Sequence, residues 1–475
     1  MIISRRRTLF PRQSSLFLIL LTIGLVAGLI GFIIYGIDWQ APQVQLTPEI
    51  KVLGTKTHLT LKVADQDSGL QQLRVTLEQP GLVKVIVDRN FPAGGWWGGG
   101  REHLVEMPLT LEPKSLGLQE GPAILTVGAR DYSWWGWFGG RKTTLTRQLT
   151  IDLIPLQISV RSLNHVLNQG GAGLVTYQIN KDIKQSGVLV DGRWFTGYPC
   201  PGNPPGGYLA FFAVPIEVTN PFSLEIKAID LAGNEARQSV VYRLKRRRWR
   251  TDRINISETF LQQKLPEFQA MSVDLKNISD PLQAFLVVNQ QWRRANNQRV
   301  EEICRTSHPQ RFWKGPFLRL KNSKPMAGFA DQRSYFFQGR EIDHQVHMGQ
   351  DLASLQNAEV VAANHGVVIM AETLGIYGQN VIIDHGWGLF SMYSHLSQIQ
   401  VKTGQQVKKG DIIGRTGTTG LAGGDHLHFG MIVQGQYVDP LEWWDAHWIK
   451  DNVELQLKPD QPPQSVEQVS RPGTT

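Results

Sequence analysis

Cysteine is nearly absent: Cys200 and Cys304 are the two in 475 residues. Their separation excludes a Cys-rich zinc finger and supplies no disulfide framework. Two semi-buried thiols, or one bridge between modules in an oxidising compartment, are the readings left. A large excess of one charge is missing too: 49 Lys and Arg face 41 Asp and Glu, a net +8. That balance suits acidic surroundings such as phospholipid head groups or cell-wall polymers, and no nucleic-acid-binding motif accompanies it. With 41% hydrophobic and 19% charged residues, wholesale disorder is excluded. The length excludes a single core and indicates two to four domains.

Long hydrophobic runs are lacking with one exception. Leu16 to Ile37 carries no charged residue and as a helix would span roughly 33 Å, enough for a bilayer core. Arg5, Arg6, Arg7 and Arg12 precede it and Asp38 follows. The positive-inside bias therefore keeps residues 1–15 in the cytoplasm and exports the rest. No small-x-small cleavage site follows the run, so an uncleaved anchor over 16–37 is expected rather than a signal peptide. The expectation is a single-pass protein of an inner (cytoplasmic) membrane, with its bulk in the periplasm or extracellular space.

From Ala41 to Lys245 short alternating stretches are broken by Gly, Pro, Asp and Asn, a pattern of antiparallel strands and turns. A partial repeat divides this region near Pro155. Leu125, Val127 and Ala129 alternate into Asp131, and Leu224, Ile226 and Ala228 alternate into Asp230. Ser68-Gly69 and Ser186-Gly187 read as matching turns earlier in each half. The segment Ala228 to Asn234 resembles the closing hairpin of bacterial immunoglobulin-like domains, so two such β-sandwiches are expected, over 41–154 and 155–245. The first carries Trp96-Trp97 and Trp134-Trp135-Gly136-Trp137-Phe138. Resting on a bilayer interface, stacking on sugars, and packing between two hairpin tips are the readings for these loops.

Lys245 to Arg250, reading KRRRWR, opens a basic linker and helical connector over 246–325, either touching an anionic polymer or solvated. Asp280 before Pro281 is a helix start, and the pattern beyond it predicts a helix reaching towards Ile303. The Pro-, Gln-, Ser- and Thr-rich tail 457–475 is expected to be disordered.

Histidine is concentrated at the other end: eight of twelve lie between His344 and His447. In the segment HLH a strand period of two puts His426 and His428 on one face. Gly349 argues against a helix at HMGQD, so this reads as a loop entering a strand, with His347 and Asp351 turned to one centre. Two imidazoles and one carboxylate make a tetrahedral zinc site with one position left for water. His344, His365, His385 and His447 are read as surface or structural residues.

Phe329 to Gly430 resembles the lysostaphin-like, or LytM-type, peptidoglycan metallopeptidases. The likeness runs through FADQR at Phe329, HMGQDLA at His347, Gly366-Val367-Val368, YGQNVIIDHG from Tyr377, LFSMYSHLS around His395, GQQVKKGDIIGRTGTTG from Gly404, and HLHFG. It implies one Zn2+ held by His347, Asp351 and His428, catalytic roles for His395 and His426, and substrate positioning by Arg333. It also implies an antiparallel β peptidase domain over 326–450. FADQR is one residue longer than the usual Phe-Gly-x-Arg turn and has Ala330 for glycine. GQQVKKGDIIG also resembles the hairpin of biotinyl and lipoyl carriers, but no lysine sits at the tip.

The expected architecture is mainly β: one transmembrane helix, two immunoglobulin-like sandwiches, a helical connector and a LytM-type domain. The expected function is zinc-dependent endopeptidase cleavage of peptidoglycan cross-links or stem peptides, with membrane and peptidoglycan as partners and a regulatory envelope protein alongside. The alternative is a non-catalytic wall-binding scaffold or activator of another hydrolase.

Overall fold

The computed structural model describes residues 12–458 except 37, 39, 96–98, 136–138, 163–164, 201–205 and 219–220; side chains of the first helix are described from 17 to 32. Trp96, Trp97, Trp137, Phe138, the tail beyond 458 and residues 1–11 thus lie outside the described residues. The chain divides into two compact units, 1–155 with 231–234, and 156–230 with 235–475.

In the first unit a 25-residue helix spans Arg12–Gly36, and its described side chains are exposed on every side. Among the described residues, which take in only the side chains 17–32 of this helix, no helix is long and apolar enough to cross a membrane. The β part is two sheets. One orders Gln43–Thr47, Thr57–Ala64 and Leu104–Leu111; the other orders Val52–Leu53, Lys142–Ile151, Gly121–Asp131, Leu70–Gln79 and Leu82–Asn90. Thr57–Ala64 shows why they face each other. Its alternation buries Leu59, Leu61 and Val63 and turns His58, Thr60 and Lys62 outward. The buried residues form one core with Val75, Leu77, Leu125 and Val127 of the other sheet.

The second unit begins with another pair of sheets. Tyr198–Pro199, Gly207–Ala213, Ala172–Ile179 and Ile158–Val160 form one; Arg193–Thr196, Ile183–Val190, Leu224–Asp230 and Glu235–Ser239 form the other. Ser186-Gly187 is not a turn but lies within the strand Ile183–Val190. Glycine is needed there for close approach, since a Cβ at Gly187 would come 2.2 Å from the Phe195 carbonyl oxygen and 2.6 Å from the Trp194 ring. Gly69, in the loop before the strand Leu70–Gln79, has φ of +76°.

This sandwich shares a core with the C-terminal region, where Phe211 packs 5.8 Å from Trp443 and 6.3 Å from Trp313 between ring centres. At the seam Glu442 is buried, accepting hydrogen bonds of 2.7 Å from Asn168 Nδ2 and from the Ala172 N–H. Burial pushes its carboxyl from 4.5 up to about 7, against those hydrogen bonds, which pull it down. A raised acid contributes its stabilisation fully below the unfolded value and loses it as pH rises through the folded one. Glu442→Gln should therefore match the parent near pH 4 and exceed it near pH 8, by up to about 3 kcal/mol. Denaturation of both proteins at the two pH values checks this; equal stability at both removes the buried charge from the account.

The segment 246–325 does not stand apart as a connector. Thr251–Ile256 pairs in parallel with Gln332–Phe337, which pairs in turn with Arg340–Val346. Glu258–Met271 is capped by Ser257, whose side chain accepts from the Phe260 N–H, and buries Leu261, Leu265 and Phe268. Asp280 caps Pro281–Leu286 by accepting from the Leu282 N–H, and the helix continues through one π stretch to Ile303. These apolar faces share a core with Tyr335, Met370, Ile376 and Ile432, which fixes the segment to the last domain. The basic cluster is partly neutralised: Arg247 pairs with Asp439, and Arg250 with Asp252 at 2.7 Å and Asp331 at 3.3 Å.

The last domain is built on an antiparallel sheet ordered Lys324–Ala327, Gln350–Ala353, Leu427–Val433, Leu389–Leu396, Gln379–Asp384, Gly366–Thr373 and Gln406–Val407, with Gln436–Val438 beside Leu427–Val433. Asp351 pairs with His428 across two of its strands, and His428 with Ser394 across the next. Register therefore sets Asp351 and His428 side by side. Cys200 and Cys304 are both buried and form no disulfide.

Candidate metal centre

His347 directly follows the strand Arg340–Val346, and three residues later the strand Gln350–Ala353 begins. Its Nδ1 lies 2.7 Å from the Gly328 carbonyl oxygen. A carbonyl only accepts, so Nδ1 carries the proton and Nε2 turns a lone pair inward. That Nε2 is 3.0 Å from Asp351 Oδ1 and 3.0 Å from His428 Nδ1, while His428 Nδ1 is 2.9 Å from Asp351 Oδ1. The three atoms form a nearly equilateral triangle, and all three residues are buried. A tetrahedral ion with ligands at about 2.0–2.1 Å requires ligand edges of about 3.3 Å, so the donors present fit zinc with little adjustment. The fit is chemical as well as geometric: three groups with inward lone pairs have too few protons to satisfy one another.

Asp351 uses its second oxygen, Oδ2, to accept from Arg333 Nη2 at 2.8 Å. Burial would raise the Asp351 carboxyl, but the imidazoles of His347, His426 and His428 gathered around it hold it well below the usual carboxylate range. Arg333, expected to position substrate, is thus engaged with the carboxylate. Burial weakens its charge while Asp351 and Tyr335 strengthen it, and the result lies above the ordinary value. Burial pulls the His428 imidazole down to about 4, which keeps it neutral, as a ligand must be.

His426 and His395 complete the cluster. The HLH segment behaves as its period requires: His426 Nε2 is 3.6 Å from Asp351 Oδ1, on the same side as His428. His426 Nδ1 donates to the Gly424 carbonyl at 2.8 Å, and the Asp351 partner lifts its pKa against the opposing effect of burial. His395 arrives by an irregularity. Between Gln379↔Leu396 and Val381↔Tyr393 the register slips, so Ser394 and His395 oppose Asn380 alone, and His395 has φ of +62°. This bulge re-aims the imidazole, placing its ring 4.8 Å from that of His426 and 5.8 Å from that of His428. Its Nδ1 donates to the Thr419 carbonyl at 2.9 Å. Burial, then the neighbouring His426 and His428, keeps it well below the usual imidazole range.

All six expected residues therefore line one cavity of about 420 Å³. One of its walls, Ile254 to Phe260 with Phe285, comes from the segment expected to be a connector. His385 is buried between the His365 carbonyl and Ser391 Oγ, at 2.7 Å from each, and serves structure. His344, His365 and His447 are exposed. Ala330, which stands where the related turn has glycine, has φ of +63°; its N–H bonds the His347 carbonyl at 2.7 Å. The turn thus keeps its left-handed form with alanine, at a cost of about 1–2 kcal/mol.

Sequence reasoning missed the supports of the site. The Gly328 and Thr419 carbonyls leave no side-chain signal. Tyr377, whose ring lies 5.7 Å from His428, appeared only as part of a motif. Gly349 does more than end a helix: a Cβ there would stand 2.6 Å from His428 Cε1 and Nε2 and 2.7 Å from the Phe429 carbonyl oxygen. Gly349→Ala should push His428 from the triangle and weaken zinc binding by about tenfold or more, the scale of support-residue changes. Competition with a chromogenic zinc chelator measures it; unchanged affinity would show that the ring has room to move.

Comparison with known proteins agrees with this geometry. The profile of peptidase family M23 matches residues 345–440. A peptidoglycan DD-endopeptidase, ShyA of Vibrio cholerae, is 40% identical over 96 residues, 20% of this chain and 22% of the relative. The DD-carboxypeptidase/endopeptidase Mpg of Neisseria meningitidis is 37% identical over 97 residues, 20% of this chain and 22% of the relative. The murein hydrolase activator EnvC of Escherichia coli is 36% identical over 95 residues, 20% and 23% of the two chains. The C-terminal domain is thus a peptidase family M23, LytM- or lysostaphin-like, domain. The match spans about a fifth of the length of each of these relatives.

Proposed function

We propose that the protein is a zinc metalloendopeptidase that hydrolyses peptide cross-links or stem peptides of bacterial peptidoglycan. The observation that carries this reading is the triangle of His347 Nε2, Asp351 Oδ1 and His428 Nδ1, with sides of 2.9–3.0 Å. These residues would hold one zinc, which when bound polarises a carbonyl and acidifies water. His395, its Nδ1–H fixed on Thr419, presents Nε2 as the acceptor for the proton of the attacking water. His426, favoured in its charged form by Asp351, donates to the developing oxyanion. Arg333 holds Asp351 through Oδ2 and borders the groove where substrate lies.

The helix Arg12–Gly36 anchors the protein in the cytoplasmic membrane in this proposal, with the two sandwiches, read as immunoglobulin-like, and the peptidase domain outside. The all-round exposure of its apolar side chains supports that assignment. The relatives named as DD-endopeptidases support the substrate class. The likeness to EnvC favours a second reading, activation of another cell-wall hydrolase. Zinc-loaded full-length protein incubated with purified peptidoglycan decides between them by mass analysis of the soluble fragments. Fragments carrying freshly cut peptides support the peptidase; none at full zinc occupancy, together with stimulation of a second hydrolase, supports the activator.

A further inference from the structure

A second group of potential metal ligands lies in the first unit. Asp38, Asp65 and Asp131 are 8%, 4% and 0% exposed, and one carboxylate oxygen from each lies within 4.8 Å of the others. Each uses part of its carboxylate to hold main chain. Asp38 Oδ1 accepts from the Gln40 N–H at 2.7 Å and its Oδ2 from the Ser68 N–H at 3.2 Å. Asp65 Oδ1 accepts from Ser68 N–H, Ser68 Oγ and Gly69 N–H at 3.0, 3.3 and 2.7 Å. Asp131 Oδ1 accepts from Ser133 N–H, Ser133 Oγ and Arg141 N–H at 3.0, 2.8 and 2.5 Å. Asp131 Oδ2 is left buried with no hydrogen-bond partner.

Such a group is costly unless a cation joins it, because buried like charges repel and lack water. The internal repeat shows how the same position is neutralised elsewhere. Asp230 ends the strand Leu224–Asp230 as Asp131 ends Gly121–Asp131, and it is equally buried. There Lys181 Nζ sits 2.9 Å from Asp230 Oδ2. Around Asp131, among the described residues, two further carboxylates stand where the other module has an ammonium group.

We propose that Asp38, Asp65 and Asp131 bind one hard divalent cation, Ca2+, at the base of the first sandwich. An all-oxygen set of three carboxylates suits calcium, and main-chain oxygens and water complete its coordination. The ligands come from three places: the turn before Ser68-Gly69, the end of a central strand, and the chain two residues past the helix Arg12–Gly36. The ion therefore ties the exit of the proposed membrane helix to the sandwich. Phe32 on that helix already meets Trp134, three residues past Asp131, with ring centres 5.3 Å apart. Calcium thus sets how the extracytoplasmic part is held at the helix end, independently of the zinc centre.

The test uses the full-length protein, zinc-loaded, in detergent, with Tb3+ as the luminescent stand-in for Ca2+ excited through tryptophan. The parent should give a saturable signal displaced by Ca2+, with affinity in the range of extracellular modules, about 10⁻⁴–10⁻³ M. Asp65→Asn and Asp131→Asn should each lose about tenfold or more of that affinity, as ligand charge falls, whereas His428→Ala should keep it. Melting gives the second readout. Ca2+ should raise the parent's midpoint, while Asp131→Asn should melt above the calcium-free parent, through lost repulsion, and ignore Ca2+. A parent without displaceable signal up to about 1 mM, equal binding by Asp131→Asn, or loss of signal in His428→Ala alone overturns the proposal.

Discussion

His428→Ala should leave the protein without stoichiometric zinc and lower peptidoglycan hydrolysis by three or more orders of magnitude, about the whole contribution expected of a metal-generated nucleophile. His428 supplies one corner of a triangle whose sides are all 2.9–3.0 Å, so its loss leaves two donors for an ion that needs three from the protein. The fold should survive. The sheet carrying His428 is held by its own core, including Phe429, Met431 and Val433 on the same strand. The sharper companion is Asp351→Asn, which keeps shape but weakens the ligand and leaves the Arg333 charge without its carboxylate. Metal content by atomic emission and fragment release from purified wall measure both. Full zinc with lost hydrolysis would move His428 from ligand to another role.

The second large effect separates binding from proton transfer. His395→Ala should retain one zinc per chain and lower kcat by about 10²–10⁴, the usual contribution of a positioned general base, with KM little changed. His395 is held by the Thr419 carbonyl and a bulge rather than by the triangle, so removing it disturbs no ligand. His426→Ala should also keep zinc. Because burial and the neighbouring His426 and His428 keep His395 neutral, activity should not fall between pH 8 and 6 through its protonation. Steady-state rates on a soluble cross-linked muropeptide decide this. A His395 variant that loses zinc would place His395 among the ligands.

The candidate site was legible because strand periodicity is strict. HLH must put two imidazoles on one side of a strand, and the antiparallel register then brings Asp351 opposite His428. The start at Asp280-Pro281 was legible for a similar reason: capping is local chemistry written in two side chains. What was hidden is non-local. Thr251–Ile256 joins a sheet as a parallel strand because of partners some eighty residues away. The helical segment belongs to the last domain because Phe268 and Phe285 find Tyr335 and Ile376. The bulge at His395 carries no composition signal, and Gly349 reads as a helix breaker until the ring it admits is seen. Ser186-Gly187 failed for that reason too, since glycine serves close approach as often as it serves turns.

The central claim, that three side chains from two antiparallel strands and the loop before them hold one zinc, is tested most directly by anomalous scattering at the zinc edge from crystals of the zinc-loaded protein. A single peak about 2.0–2.2 Å from His347 Nε2, an Asp351 oxygen and His428 Nδ1 is the predicted result. A zinc-saturated crystal with no peak at these atoms, or with its peak elsewhere, would contradict it.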